Sequence, residues 1–407
     1  MNPAETIPQE RAAGPSPLEW TLLHAGFVLT GIVTTILGPI LPMLSSRWLL
    51  SDALAGSLFT AQFLGSLLGV LSTSVLPPRR GFRTVLAAGF LLMAAGVSGL
   101  GLSGWPFGWL AIFGFGVGLG LTIPSTNLYV SQAASGRRAA ALSILNLSWG
   151  LGAVACPLLI ALFGRRVGLP GLLISLGTVL AAFALAFSSQ TLSVNPQRPS
   201  PRERSPAFWA HFEPRPRAWA LAALFFLYVG TENALGGWVA THARRVSGPP
   251  EALWVVTPSA FWGALLLGRA LAPVALRFLI EAKLAAVGLL LASCGTLAVL
   301  LSTTPSGIRV GAGIAGLGLA PVFPILVAWL AQQFESEAPR AGGVMFALAG
   351  CGGATLPWLV GAVSTRFGSL QVGLGIPLLS CLVMLVTLRA ASSAGGAKAA
   401  SAGAALR

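Results

Sequence analysis

The stretch Trp219–Arg245 reads WALAALFFLYVGTENALGGWVATHARR and carries an acidic residue inside an otherwise apolar run. If the run is helical, Glu232 lies about 20 Å from its start, and the hydrocarbon layer of a bilayer is about 30 Å thick. A charged side chain at that depth costs about 2.5 kcal/mol or more, so such residues usually face a cavity and carry function. The stretch therefore predicts a membrane-spanning helix with a functional carboxyl group. The alternative is that a neighbouring hydrogen-bond partner neutralises Glu232, which then serves packing alone.

The whole chain has the composition of a polytopic membrane protein. Of its 407 residues, 55% are hydrophobic and only 9% are charged, whereas about 25% of residues in a soluble protein are charged. The apolar runs are continuous and lack the alternation of membrane strands, so the spanning elements are helices. Fifty glycines suit transmembrane helices that pack closely.

Charge and composition also exclude several function classes. The net charge of +14 does not indicate nucleic-acid binding, because the basic residues lie between apolar runs, where membrane topology explains them. The four cysteines lie inside apolar runs without ligand spacing and predict neither disulfides nor a metal site. The sequence has no phosphate-binding loop of the P-loop type and no catalytic constellation. We therefore expect neither an enzyme nor a cofactor-dependent protein.

Twelve apolar runs predict an all-α membrane protein with two six-helix bundles. The predicted spans are 20–43, 52–76, 83–103, 106–131, 138–164, 169–189, 217–243, 251–278, 283–303, 306–333, 339–365 and 370–390. The predicted domains are a cytoplasmic tail (1–19), an N-terminal bundle (20–189), a Pro/Arg-rich cytoplasmic linker (190–216), a C-terminal bundle (217–390) and a disordered cytoplasmic tail (391–407).

The distribution of Lys and Arg predicts the orientation of the chain. More of them fall in the segments on the side of the linker and the two termini than on the opposite side. Because cytoplasmic loops carry the excess of positive charge, both termini are predicted to be cytoplasmic. Because the chain is compact and lacks long loops, we expect by analogy that it lies in the bacterial inner membrane, and we expect a monomer.

The two halves repeat each other with an offset close to 200 residues. A glycine and proline pattern in the fifth span recurs in the eleventh, with the pairs Gly150 and Gly350, Gly152 and Gly352, and Pro157 and Pro357. A basic loop follows the second span as Arg79-Arg80-Gly81-Phe82-Arg83. Gly268-Arg269 begins the corresponding pattern in the second half.

In its two repeated halves and its basic loop, the chain resembles the major facilitator superfamily, which is built from parallel six-helix repeats. The loop of that family reads G-x-x-x-D-R-x-G-R-[KR], and the Asp of the pattern is missing here. The resemblance assigns a gating role to Arg79, Arg80, Gly81, Arg83, Gly268 and Arg269. It also suggests that Arg269 and Glu281 form a partial substitute for the missing charge clamp.

The segment FLYVGTENALGGWVATHARR (226–245) is similar to the seventh span of the fucose:proton symporter and sodium-dependent glucose transporter-like group. That resemblance implies a sugar or another small polar substrate, bound between the halves near mid-membrane. The acids that the proton symporters of this group carry in spans one and four are absent here. The implied mechanism is alternating access by rocking of one half against the other.

Polar and aromatic residues within the predicted spans form the candidate substrate site. They are Thr34, Thr35, Gln62, Asn127, Asn146, Trp149, Tyr228, Asn233, Trp238, Trp262 and Trp358. Amides supply a donor and an acceptor together, and indole rings offer a flat apolar face to a sugar ring. Alternatively, each amide only bridges neighbouring helices.

Glu232 is the candidate coupling residue. The hypothesis is that it binds a proton together with the substrate and releases it inside, although sodium coupling or an uncoupled facilitator would use the same carboxyl group. The competing function is a proton-driven multidrug or metabolite exporter with the same fold. An exporter would favour a larger and more apolar pocket than the amides and tryptophans predict.

Overall fold

The computed structural model describes residues 15–134, 136–194, 216–247, 252–334 and 337–392, which are helical and contain no strand. The helices of the N-terminal half are Pro17–Thr35, Leu37–Trp48, Asp52–Ser72, Leu76–Leu102, Phe107–Ala133 and Arg138–Ser189. Those of the C-terminal half are Pro216–Ser247, Ala252–Val255, Thr257–Ala275, Glu281–Leu301, Pro305–Leu319, Val322–Phe334, Ala338–Phe367 and Leu370–Ser392.

These helices supply the twelve predicted spans. By length and apolarity, nine helices of the described chain could cross a membrane, or ten if the first two helices, which meet at a 42° bend, form one span. The helix Arg138–Ser189 is far longer than a bilayer is thick and breaks at Gly168, where φ is 69°. It therefore contains both the fifth and the sixth span, and Thr257–Ala275 forms most of the eighth.

The first helix begins inside the predicted N-terminal tail. Ser16 caps it by accepting a hydrogen bond from the backbone of Glu19, and the Glu19 side chain accepts one from the backbone of Ser16. This reciprocal arrangement, a capping box, satisfies donors at the start of a helix and moves the start to Pro17. Most of the predicted linker and of both predicted tails, namely 1–14, 195–215 and 393–407, lies outside the described residues.

Glycines set the distances between spans in both halves in the same way. A Cβ atom added at Gly152 in span five would collide with the backbone carbonyl of Val28 in span one. At the equivalent position of the C-terminal half, a Cβ atom added at Gly352 in span eleven would collide with the carbonyl of Phe226 in span seven. The sequence repeat is therefore also a repeat of helix contacts.

The two halves are joined at the end of the bundle away from the linker, which we call the far end. Asp52 accepts hydrogen bonds from Arg245 and from the Ser364 hydroxyl, each at 2.5 Å. Arg244 donates to the backbone carbonyl of Pro42, also at 2.5 Å. These contacts bind spans one and two to spans seven and eleven and hold the two halves together at the far end.

Candidate functional site

An ion pair lies inside the C-terminal half, between spans seven and eight. Arg269 donates through Nη2 to Glu232 Oε1 at 3.0 Å and to the Tyr228 hydroxyl at 3.3 Å. Glu232 and Tyr228 are buried, and the Arg269 side chain is 28% exposed. Because a buried charge needs a partner of opposite sign, this pair explains how the apolar seventh span accommodates a carboxylate.

The expected pairing of Arg269 with Glu281 is wrong. Arg269 lies inside the helix Thr257–Ala275 and contacts span seven, whereas Glu281 accepts a hydrogen bond from Trp329 Nε1 at 2.7 Å. The two residues are separated by the end of span eight and by the turn before span nine. The Glu232 carboxylate, 3.0 Å away, is the acidic partner of Arg269.

Gly268, the other residue of the second-half gating pattern, packs closely against a neighbouring span. A Cβ atom added there would lie 2.5 Å from Cβ of Ala320 and 3.1 Å from the carbonyl oxygen of Leu317, both on the tenth span. The close contact between spans eight and ten therefore requires a glycine. Gly268 and Arg269 both lie inside the helix Thr257–Ala275, within the predicted span 251–278, and their gating role remains a prediction.

The loop after span two is part of the helix Leu76–Leu102. Arg79 and Arg80 are exposed, and Gly81 interrupts the helix with a φ of 80°. Arg83 donates to the backbone carbonyl of Ser188 near the end of span six. These contacts stay within the N-terminal half, and the gating role of this loop remains a prediction.

A second polar group crosses between the two halves. Gln62 Nε2 donates to the Thr34 carbonyl at 2.9 Å, and Trp149 Nε1 donates to the Thr34 hydroxyl at 3.4 Å. The Trp149 ring meets the Trp262 ring of the other half edge to face, with 5.9 Å between the ring centroids. The structure thus brings four predicted site residues, from spans one, two, five and eight, into one chain of contacts.

Spans seven and eight connect this aromatic group to the ion pair. Trp262 packs on Gly236, where an added Cβ atom would lie 2.6 Å from Trp262 Cζ2. Gly236 is one helical turn from Glu232, and Trp262 and Arg269 are seven residues apart on nearly the same face of span eight. The candidate site therefore has an aromatic part and an ionic part about 10 Å apart along the helix axis.

Several predicted site residues make other contacts. Three amides, Asn127, Asn146 and Asn233, donate to carbonyls of their own helices, and the Thr35 hydroxyl does the same. Trp238 is buried and donates to the Pro357 carbonyl at 2.9 Å, which joins spans seven and eleven. These five residues do not take part in the Gln62–Thr34–Trp149–Trp262 contacts, and their substrate-binding roles remain predictions.

Trp358 lies in a groove on the outer side of spans two and eleven. The groove has a volume of about 370 Å³, and Trp358 is 41% exposed in it. Its lining comprises Ser57, Thr60, Phe63, Leu64, Leu67, Trp109, Gly350, Cys351, Ala354, Thr355 and Trp358. Leu64 and Ser57 face away from Gln62 at the helical repeat of 100° per residue, so Trp358 lies apart from the Thr34–Trp149–Trp262 contacts.

Sequence reasoning missed the partner of Glu232 and one buried acid. Arg269 is a charged residue inside an apolar run, which is the same signal that identified Glu232. Its match to the loop pattern led instead to a predicted gating role. Glu19 is buried at the linker end, where it accepts hydrogen bonds from the Tyr129 hydroxyl and the Ser193 backbone, each at 2.8 Å. Across the described part of the chain, no group of three or more His, Cys, Asp and Glu side chains could hold a metal ion.

Two repeated six-helix halves, with polar residues where the halves meet, define a membrane transport protein. The family model of the Major Facilitator Superfamily matches residues 23–308, and the chain belongs to this family.

The chain is similar in sequence or in structure to several transporters. Human sodium-dependent glucose transporter 1 is 23% identical over 397 residues, which cover 86% of this chain and 74% of the relative. A bacterial homologue of the human lysosomal transporter Spinster, solved in an inward-facing and occupied conformation, matches with a TM-score of 0.75 at 16% identity and covers 92% and 96% of the two chains. The Escherichia coli fucose:proton symporter matches with a TM-score of 0.60 at 15% identity over 93% and 99%.

Proposed function

We propose that this protein is a secondary active transporter that takes up a small, sugar-like solute by alternating access and couples this uptake to protons at Glu232. The observation that carries the proposal is the buried pair of Glu232 and Arg269, 3.0 Å apart, beside the contacts that join the two halves. A bacterial inner membrane location, cytoplasmic termini and a monomeric state belong to the same proposal.

The ion pair suits proton coupling because its two states differ in what Arg269 binds. With Glu232 ionised, the carboxylate satisfies the guanidinium. A proton on Glu232 Oε1 removes the negative charge and leaves the mostly buried guanidinium of Arg269 without its ionic partner. An oxygen of the solute can then accept from Arg269, so that proton binding and solute binding favour each other.

The same pair argues for a proton over sodium as the coupling ion. The Arg269 guanidinium is already hydrogen-bonded to the Glu232 carboxylate, and its positive charge repels a second cation at that carboxylate. A proton needs no coordination shell and binds directly to a carboxylate oxygen.

The aromatic part of the site supports a sugar-like substrate. Trp149 and Trp262 offer ring faces and edges, and Thr34 and Gln62 offer hydroxyl and amide groups. Indole rings suit the apolar face of a sugar, and amides match its hydroxyl groups. The names of two similar proteins, a glucose transporter and a fucose symporter, agree with this chemistry.

The test is solute-dependent proton entry into proteoliposomes that contain a pH-sensitive dye. Glucose, fucose and xylose are added to the wild type, to Glu232→Gln and to Glu281→Gln. We expect one sugar to drive proton entry in the wild type and in the Glu281→Gln control. Glu232→Gln should lose at least about 90% of that entry, a tenfold effect that equals 1.4 kcal/mol, but should still exchange labelled for unlabelled sugar.

Two results would contradict the proposal. Sugar uptake that requires a sodium gradient and moves no protons would assign the coupling to sodium. No response to any sugar, together with extrusion of a cationic dye under an imposed proton gradient, would favour the multidrug exporter.

A further inference from the structure

We infer that Trp262 Nε1 and Gln62 Oε1 bind hydroxyl groups of the solute, one as donor and the other as acceptor, and that they select a neutral polyhydroxylated compound. This inference rests on the proposed function and specifies the recognition chemistry of that site. Both side chains are more than nine-tenths buried, and neither atom has a hydrogen-bond partner among the described residues.

Unpaired polar atoms of this kind require an explanation. A buried donor or acceptor without a partner costs about 1–3 kcal/mol, and native structures contain few of them. Most other unpaired atoms of the described chain are hydroxyl oxygens, such as those of Thr122 and Thr231, whose hydrogen can rotate toward a carbonyl of the same helix. The indole N–H and the amide oxygen have fixed directions and lack that option.

The orientation of the Gln62 amide follows from its one hydrogen bond. Gln62 Nε2 contacts the Thr34 carbonyl oxygen at 2.9 Å. A carbonyl oxygen only accepts hydrogen bonds, so the amide nitrogen must face Thr34. The remaining oxygen, Oε1, is therefore the acceptor that lacks a partner.

The two atoms belong to opposite halves of the protein, and each lies on a span that contacts the other half. Trp262 contacts Trp149 across the interface. Phe59, one helical turn before Gln62 on span two, abuts Gly237 of the C-terminal half, and the Gln62 backbone packs against Gly116 of span four. In contrast, Trp48, whose Nε1 is also unpaired, packs against Gly108 within the N-terminal half.

Because Trp262 Nε1 donates and Gln62 Oε1 accepts, the pair limits the class of ligand that can satisfy both atoms. A carboxylate only accepts, so it would satisfy Trp262 and leave Gln62 Oε1 unpaired, and an ammonium group would do the reverse. A hydroxyl group donates and accepts, so neighbouring hydroxyls on one solute satisfy both atoms. Arg269 Nε is a further donor without a partner in the described structure, so the C-terminal half supplies donors and the N-terminal half supplies the acceptor.

The experiment compares transport kinetics of Trp262→Phe and Gln62→Leu with the wild type in proteoliposomes. The probes are the transported sugar of the panel, its monodeoxy derivatives, its uronate and its amino sugar. Trp329→Phe is the matched control, because it also removes an indole N–H but one that bonds Glu281 outside the site.

We expect KM for the sugar to rise about five- to tenfold in each site variant, the effect of one hydrogen bond, and to stay unchanged in Trp329→Phe. One monodeoxy sugar should have a raised KM with the wild type, and its KM should not rise further with Trp262→Phe. A different monodeoxy sugar should have a raised KM with the wild type, and its KM should not rise further with Gln62→Leu. The uronate and the amino sugar should be poor substrates of the wild type.

Three outcomes separate this inference from the proposed function. If the wild type carries no sugar, the proposed function fails and this inference fails with it. If the wild type carries a sugar but both site variants keep its KM within twofold, only this inference is overturned. If a variant loses transport, its thermal midpoint in detergent is measured, and equilibrium binding of the monodeoxy sugars to the folded variant then decides in the same way.

Discussion

At the scale of single residues, Arg269 explains how an acid is kept inside the seventh span. Glu232 is buried, and its carboxylate accepts a hydrogen bond from the Arg269 guanidinium at 3.0 Å. The same guanidinium also donates to the Tyr228 hydroxyl. Removing one partner of a buried ion pair leaves an unpaired charge, which costs far more than replacing both partners by neutral groups. This asymmetry separates the structural role of the pair from its proposed role in coupling.

The stability of the pair is therefore predicted to be non-additive. Arg269→Gln should lower the free energy of unfolding by about 3 kcal/mol, because it strands the Glu232 carboxylate. The double variant Glu232→Gln with Arg269→Gln should regain most of that stability and still move no protons with the sugar. Thermal unfolding in detergent and dye-reported proton entry measure the two effects. Additive losses in the double variant would show that the two side chains do not stabilise each other.

At the scale of helices, glycines decide which spans touch. The contact of Gly352 with the Phe226 carbonyl brings spans eleven and seven together, as Gly152 and the Val28 carbonyl do for spans five and one. Small residues allow transmembrane helices to approach closely, and van der Waals packing then holds them together. Span seven, which carries Glu232, thus depends on span eleven for its position.

Two neighbouring glycines of span eleven provide a matched prediction. Gly352→Ala should lower the thermal midpoint in detergent clearly, because its Cβ atom would collide with the Phe226 carbonyl and force the two helices apart. Gly350→Ala should leave the midpoint unchanged or raise it, because no atom lies within 4 Å of its added Cβ and alanine favours the helix by about 1 kcal/mol. Equal midpoints for the two variants would refute this account of the packing.

At the scale of the whole molecule, polar contacts close the far end. The carboxylate of Asp52 in span two accepts from Arg245 in span seven and Ser364 in span eleven, and the backbone of Ala53 donates to the Thr365 hydroxyl at 2.8 Å. Arg245 is 46% exposed, and exposed ion pairs stabilise by only about 0–1 kcal/mol. Such contacts can break and re-form in each transport cycle.

We predict that locking this closed end stops transport. Cysteines introduced as Ala53→Cys and Thr365→Cys, in a background where the exposed Cys294 and Cys351 are replaced by serine, should form a disulfide on oxidation. Sugar uptake should then fall at least about tenfold, a barrier of about 1.4 kcal/mol or more, and return on reduction, while each single-cysteine variant should be insensitive. Full uptake by the cross-linked protein would mean that the far end does not open during transport.

The membrane class, the twelve spans and the two repeated halves followed from the sequence, because long apolar runs and recurring glycines are local signals. The pairing of Glu232 with Arg269, the contact of Trp149 with Trp262 and the separation of Trp358 from them came only from the tertiary structure. These spans are apolar on all sides, so their sequences carry no strong periodicity to show which face meets a neighbour. Helix packing between distant parts of the chain decides that orientation, and with it which polar side chains meet.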